Sequence, residues 1–69
     1  MPHRISDRDR RVAEALVEYR NDKVSLKQLA ARMSLSWGEF SASYVRLRVL
    51  AEAETVSQVI AWWLQRRLQ

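Results

Sequence analysis

Apolar residues recur along this chain at intervals of three and four. Val12, Ala15, Leu16 and Tyr19 form one such set, and Leu26, Leu29, Ala30 and Met33 a second. Phe40, Tyr44, Leu47 and Ala51 form a third, and Val56, Val59, Ile60 and Trp63 a fourth. That spacing keeps side chains on one face of a helix, so it predicts four amphipathic helices. A start signal precedes each. In a capping box an N-cap Ser or Thr accepts from the backbone N–H three residues on, where Glu or Gln reaches back. The pairs here are Ser6 with Asp9 (a shorter variant), Ser25 with Gln28, Ser36 with Glu39, and Thr55 with Gln58. Each cap contributes around 1 kcal/mol.

The predicted helices run from about Asp7 to Arg20, Leu26 to Met33, Ser36 to Ala53, and from after Thr55 to about Leu68. Ile5 is placed to pack back on the first turn, and Asn21, Asp22 and Lys23 form the first connection. One glycine and one proline among 69 residues argue against sheets joined by tight turns. A hydrophobic content of 48% with 29% charged residues argues against disorder. The expected fold is an all-α, four-helix compact domain spanning residues 1–69.

Composition also narrows the chemistry. Without cysteine the chain has no disulfide, thiolate metal site or thiol nucleophile. Its one histidine, His3, lies near the N-terminus, which argues against a histidine-based triad or metal cluster. No glycine-rich phosphate loop or zinc-ligand spacing occurs, and Glu52 with Glu54 falls at an exposed helix end. No apolar run approaches the roughly 20 residues that span a bilayer, and no signal-peptide core follows Met1. The expectation is a cytoplasmic binding module and not an enzyme, with no metal, cofactor or membrane partner. The net charge of +4 favours a polyanionic partner only weakly, because both signs are spread along the chain.

Only Ser34 and Leu35 separate the second helix from the third. So short a connection forces a steep crossing, the helix-turn-helix arrangement. Leu29 and Met33 are expected to face inward, with small Ala30 at the close approach of the two helices. Leu35 plugs the turn, Ser36 caps the following helix, and Phe40 points inward. Ser34 stands where the motif usually has glycine to accept a left-handed backbone, and Ser43 occupies a site that is often apolar.

Residues 15–40, ALVEYRNDKVSLKQLAARMSLSWGEF, resemble the helix-turn-helix of small prokaryotic antitoxin-like proteins. Tyr19, Arg20, Val24, Ser25, Leu26, Ser36, Glu39 and Phe40 carry that resemblance. The family's glycines are missing, and its tryptophan is displaced to Trp37, with Gly38 in its place. The whole chain also resembles the four-helix DNA-binding domain of LuxR-type regulators. Ile5, Ser6, Arg8, Asp9, Arg10 and Val12 match its opening, and Val59 to Leu64 its final dimerisation helix. The loop after the first helix is longer here, and Ser41 and Ser43 stand where that family has basic residues. Both resemblances imply a helix-turn-helix; one implies an antitoxin and the other a transcriptional regulator.

A recognition helix enters the major groove with its N-terminal residues. With Phe40 and Tyr44 inward, Gly38, Ser41, Ala42 and Val45 face outward and Trp37 lies at the margin. None of these is Arg, Lys, Asn or Gln, so base reading is thin. Backbone contacts are better supplied by Ser36 at the helix start and by Lys27, Gln28, Arg46 and Arg48. Arg4, Arg8, Arg10 and Arg11 either extend this as a basic arm or form a solvated face paired with Asp7, Asp9 and Glu14. Trp63 is expected in the core. Trp62 and Val49, with Val45, leave an apolar surface suited to a second subunit, and Trp37 fits either a motif edge or a partner contact. The segment 56–68 also has the amphipathic, basic character of a membrane-surface helix, although a dimer helix accounts for it equally. The first expectation is a homodimeric double-stranded DNA-binding regulator of transcription from a prokaryote or its virus. The alternative is an antitoxin or adaptor that binds a protein partner through the apolar faces of helices 3 and 4.

Overall fold

The computed structural model describes residues 5–68, so His3 and Arg4 lie outside the described residues. Four helices follow in order: α1 (Asp7–Glu18), α2 (Leu26–Arg32), α3 (Trp37–Ala51) and α4 (Val56–Arg67). Each N-cap has an extended backbone and a hydroxyl that accepts from the N–H three residues on. The reciprocal half of the box is present at Ser25–Gln28, Ser36–Glu39 and Thr55–Gln58. At α1 the expected box is only half made: Asp9 N–H donates to the Ser6 hydroxyl, while the Asp9 carboxylate accepts from Arg46 and not from Ser6 N–H.

The helix ends fall short of expectation for local reasons. Arg20 does not extend α1; its guanidinium donates to the Val17 carbonyl at 2.6 Å, satisfying a C-terminal acceptor. Helix α2 ends in a Schellman turn, with Leu35 N–H donating to the Ala30 carbonyl and Ser34 N–H to Ala31. Ser34 takes φ 58°, so the left-handed backbone is adopted without the usual glycine. Helix α3 stops before Ala53 by the same device. Glu52 has φ 53°, Ala53 N–H reaches the Arg48 carbonyl, and Glu52 N–H reaches Val49.

Helix α1 packs on both α3 and α4, α3 packs on α4, and α2 packs on α3. The core is centred on Val12, Leu16, Leu29, Phe40, Leu47, Val59 and Trp63. Ala30 is buried, as the close-approach argument requires. Tyr19, Leu26, Met33, Tyr44, Ala51, Val56 and Ile60, all expected inward, are only half-buried around its margin. Ala13 and Val17 are buried although the stripe of α1 did not include them. On α3 the inward line is Phe40, Ser43 and Leu47, so a serine occupies the place expected of Tyr44. The Cα radius of gyration, 11.3 Å, is close to the roughly 11 Å of a compact chain this long.

Candidate nucleic-acid interface

The turn at Ser34 and Leu35 brings the start of α2 close to the start of α3. Lys27 Nζ lies 5.8 Å from the centre of the Trp37 ring, within cation–π range. Trp37 in turn stacks on buried Phe40 with centroids 5.9 Å apart and remains 45% exposed. It therefore forms the rim of the core.

From Trp37 onward, rotation of about 100° per residue sorts the α3 side chains. Phe40, Ser43 and Leu47 define the inward side. Opposite them lies a line of small and apolar residues: Gly38, Ala42, Val45 and Val49, all exposed. Val45 is 52% and Val49 70% accessible. Arg46 falls about 80° to one side of this line, and Ser41 and Arg48 lie at similar angles on the other. Nothing in the fold needs a glycine at 38, since an added Cβ would meet only the Ser36 hydroxyl at 3.9 Å.

Several candidates already have local partners. The Ser36 hydroxyl accepts from Glu39 N–H, and the Ser41 hydroxyl donates to the Gly38 carbonyl at 3.3 Å. Gln28 Oε1 accepts from Ser25 N–H. Glu39 Oε1 accepts from Ser36 N–H; that bond and the Ser36 hydroxyl hold its carboxyl below the ordinary value. Arg48 is folded back, with Nε 3.4 Å from the Ala53 carbonyl and its guanidinium over Tyr44. Lys27, Gly38, Ala42 and Val45 keep open surface.

Arg46 is held most firmly. Its Nε and Nη2 each donate at 2.9 Å to a different oxygen of Asp9, a bidentate fork between α3 and the first turn of α1. The Asp9 side chain is 3% exposed and that of Arg46 50%. Burial pushes the Asp9 carboxyl up. Hydrogen bonds from Arg46, Ser43 and Ser6 and the charge of Arg46 outweigh burial, leaving it below its ordinary value. Arg46 is raised above its own, chiefly by the hydrogen bond to Asp9. Ser43, fully buried, accepts from Arg8 Nε at 2.8 Å.

The pairing suggested for the first helix is thus different from the observed one. Asp9 pairs with Arg46 and Glu14 with Arg67, while Arg8 binds Ser43. Glu14 also accepts from the Trp63 indole at 2.8 Å, which ties α4 to α1. Arg10 and Arg11 are exposed, on a groove of mixed charge shared with Glu14, Glu18 and Arg32. Trp62 is not a free surface ring: it is half-buried against the core with the Arg66 guanidinium 5.6 Å from its centre. A sequence signal for the Asp9 seam did exist. Asp9 is in register with Val12 and Leu16 on the inward stripe, and Ser43 with Phe40 and Leu47, so two polar groups were due to meet inside.

Among the described residues no three His, Cys, Asp or Glu side chains gather to hold a metal ion. No described helix is long and apolar enough to cross a membrane. No protein-family model matches the chain, and neither a curated protein nor a solved structure matches it.

Proposed function

We propose that this chain is a helix-turn-helix module that binds double-stranded DNA as a homodimer and regulates transcription. The observation that carries the reading is the outward face of α3. A narrow line of small side chains, Gly38, Ala42 and Val45, is bordered by Arg46 and Arg48 and approached by Lys27. Small side chains let a helix sit deep in a groove, and flanking cations meet the phosphates on its walls. The scarcity of donors along the line makes the binding mainly a backbone interaction, with methyl contacts from Ala42 and Val45 to thymine as the available base contacts.

The dimer occupies the other end of the same helix. Val49 lies about 16 Å along α3 from Gly38, at 1.5 Å per residue. The N-terminal half of α3 thereby meets DNA, while Val49, helped by the flank of Trp62, meets a second copy. Two copies would set their recognition helices about 34–36 Å apart, one DNA turn.

A gel shift with random duplex DNA over a range of salt tests the reading. Affinity falls by roughly 0.9 log units per log unit of salt for each phosphate contacted. Absence of binding at about 50 mM salt and micromolar protein overturns it. Sedimentation as a monomer at about 100 μM overturns the dimer alone.

The high exposure of Val45 and Val49 favours a second reading, an adaptor or antitoxin whose α3 face binds a protein. Lys27→Gln discriminates: loss of a flanking cation weakens DNA binding and flattens its salt slope, and leaves an apolar protein contact through Val45 and Val49 intact.

A further inference from the structure

An aspartate in the first turn of a surface helix has no need to be buried, since capping is done at the solvent edge. Asp9 is nevertheless 2% exposed. Taking a carboxylate out of water is costly, and an apolar pair of similar volume would hold α1 to α3 at least as well. The partner makes the arrangement intelligible. Arg46 is half-exposed at the edge of the α3 face, and an unrestrained arginine there would sample many rotamers. Asp9 engages Nε and one N–H of Nη2. A guanidinium has five N–H donors, so three remain, and the structure gives them no acceptor among the described residues.

The seam around the fork is itself fixed. Ser43, anchored by Arg8 Nε, and Ser6 help Arg46 to hold the Asp9 carboxyl below its ordinary value, and Asp9 N–H donates to the Ser6 hydroxyl. Two 2.9 Å hydrogen bonds to different carboxylate oxygens orient the guanidinium plane.

We propose that Asp9 is a positioning residue that holds Arg46 as a preorganised donor to one backbone phosphate of duplex DNA. The proposal rests on the DNA reading above and assigns it a specific contact. An arginine already ordered by folding loses little further freedom when a phosphate arrives, and its fork geometry suits a phosphate oxygen pair. The ion pair is neutral overall, so it contributes little to long-range attraction and acts by direct hydrogen bonding at close range.

That neutrality supplies a test in which two explanations predict opposite signs. Asp9→Asn adds one unit of positive charge and frees Arg46. If Asp9 merely opposes DNA by its charge, the variant binds more tightly. If Asp9 positions Arg46, the variant binds more weakly, by roughly tenfold, the scale of one charge-assisted hydrogen bond. Arg46→Lys provides a second arm that preserves charge. An ammonium cannot bridge carboxylate and phosphate in one plane, so it also binds roughly tenfold more weakly. Gel shifts are run at a temperature where circular dichroism shows each variant folded, and the Arg46 Nε–H resonance is followed in the free protein. The expected set is weaker binding by Asp9→Asn and Arg46→Lys, with that resonance lost or broadened in Asp9→Asn. Tighter or unchanged binding by folded Asp9→Asn overturns the proposal. Unchanged binding by folded Arg46→Lys does so even if Asp9→Asn fails to fold. In both cases the parent's own salt-dependent binding leaves the DNA reading standing, whereas a parent that binds no DNA removes both.

Discussion

Removing Arg46 should destabilise the fold far more than removing Asp9, although both deletions break the same ion pair. The two ends differ in their access to water: 50% for the Arg46 side chain against 3% for Asp9. With Asp9→Ala, the guanidinium turns into solvent and the loss is that of a partly screened pair, about 1 kcal/mol. With Arg46→Ala, a carboxylate is left inside the α1–α3 seam. Breaking a buried pair in that direction costs about 3–5 kcal/mol. Ser6 and Ser43, which also lower the Asp9 carboxyl, remain beside it and offset part of this, leaving about 2–3 kcal/mol. A domain of this size has roughly 3–10 kcal/mol in total. At about 4–8 °C per kcal/mol, Tm should fall by roughly 10–20 °C for Arg46→Ala and about 5 °C for Asp9→Ala. Thermal and urea melts followed by far-UV circular dichroism measure both.

Acid supplies a second signature of the same asymmetry. In the parent the Asp9 carboxyl is held below its ordinary value of 3.8, so its stabilisation is complete above that pH and is lost as pH falls through the lower folded value. Without Arg46, burial acts with less opposition and the carboxyl rises. Protonation then relieves the penalty, so the gap between parent and Arg46→Ala narrows from pH 7 to below about 4. Equal costs for the two deletions, or a gap constant with pH, would refute the reasoning.

Three further outcomes follow from the backbone and the packing. Ser34→Gly and Glu52→Gly should each raise the urea midpoint at constant m, by about 0.5–1 kcal/mol, because both residues hold left-handed backbones. A lowered midpoint at either position contradicts this. Gly38→Ala should stabilise α3 by up to about 1 kcal/mol, since its Cβ would meet only the Ser36 hydroxyl at 3.9 Å, yet weaken the proposed DNA binding by filling the proposed recognition line. A more stable variant that binds like the parent removes Gly38 from the interface. Ala30→Leu should overpack the buried α2–α3 junction by about 1–3 kcal/mol, and a melt matching the parent would show that no close approach exists there.

What the sequence made legible is what short-range rules govern. Ser25, Ser36 and Thr55 cap their helices because the partner sits three residues away on the same chain segment. Phe40 and Leu47 are buried because helical rotation alone puts them on the inward side. Glu52 was opaque because a left-handed non-glycine residue carries no compositional mark; the turn is imposed by the need to bring α4 back onto α1. Asp9 was misread for a related reason. Its local role as a cap partner is plausible on its own, and the partner that overrides it, Arg46, is 37 positions away. The same holds for Trp63 and Glu14, 49 positions apart. At the proposed interface, the small outward residues of α3 could be read from rotation. The engagement of Arg46 and Arg48 could not, because it depends on which neighbouring element their long side chains reach.

The central position of α1 bears on how the molecule comes apart. The long-range polar ties, to Ser43 and Arg46 of α3 and to Trp63 and Arg67 of α4, converge on α1, which also packs on α3 and α4. Helix α2 is seven residues long, too short to persist unaided in water, and leans on α3. The chain thus divides into one cooperative unit, α1 with α3 and α4, and a lightly held appendage that opens before the rest. Amides of α2 should exchange with deuterium well ahead of those in α3, even though the two helices make up a single motif. It follows too that the motif cannot be lifted out of this chain. A fragment carrying only α2 and α3 would expose Phe40 and Leu47 to water, and anyone grafting this helix-turn-helix onto another scaffold has to bring α1 with it.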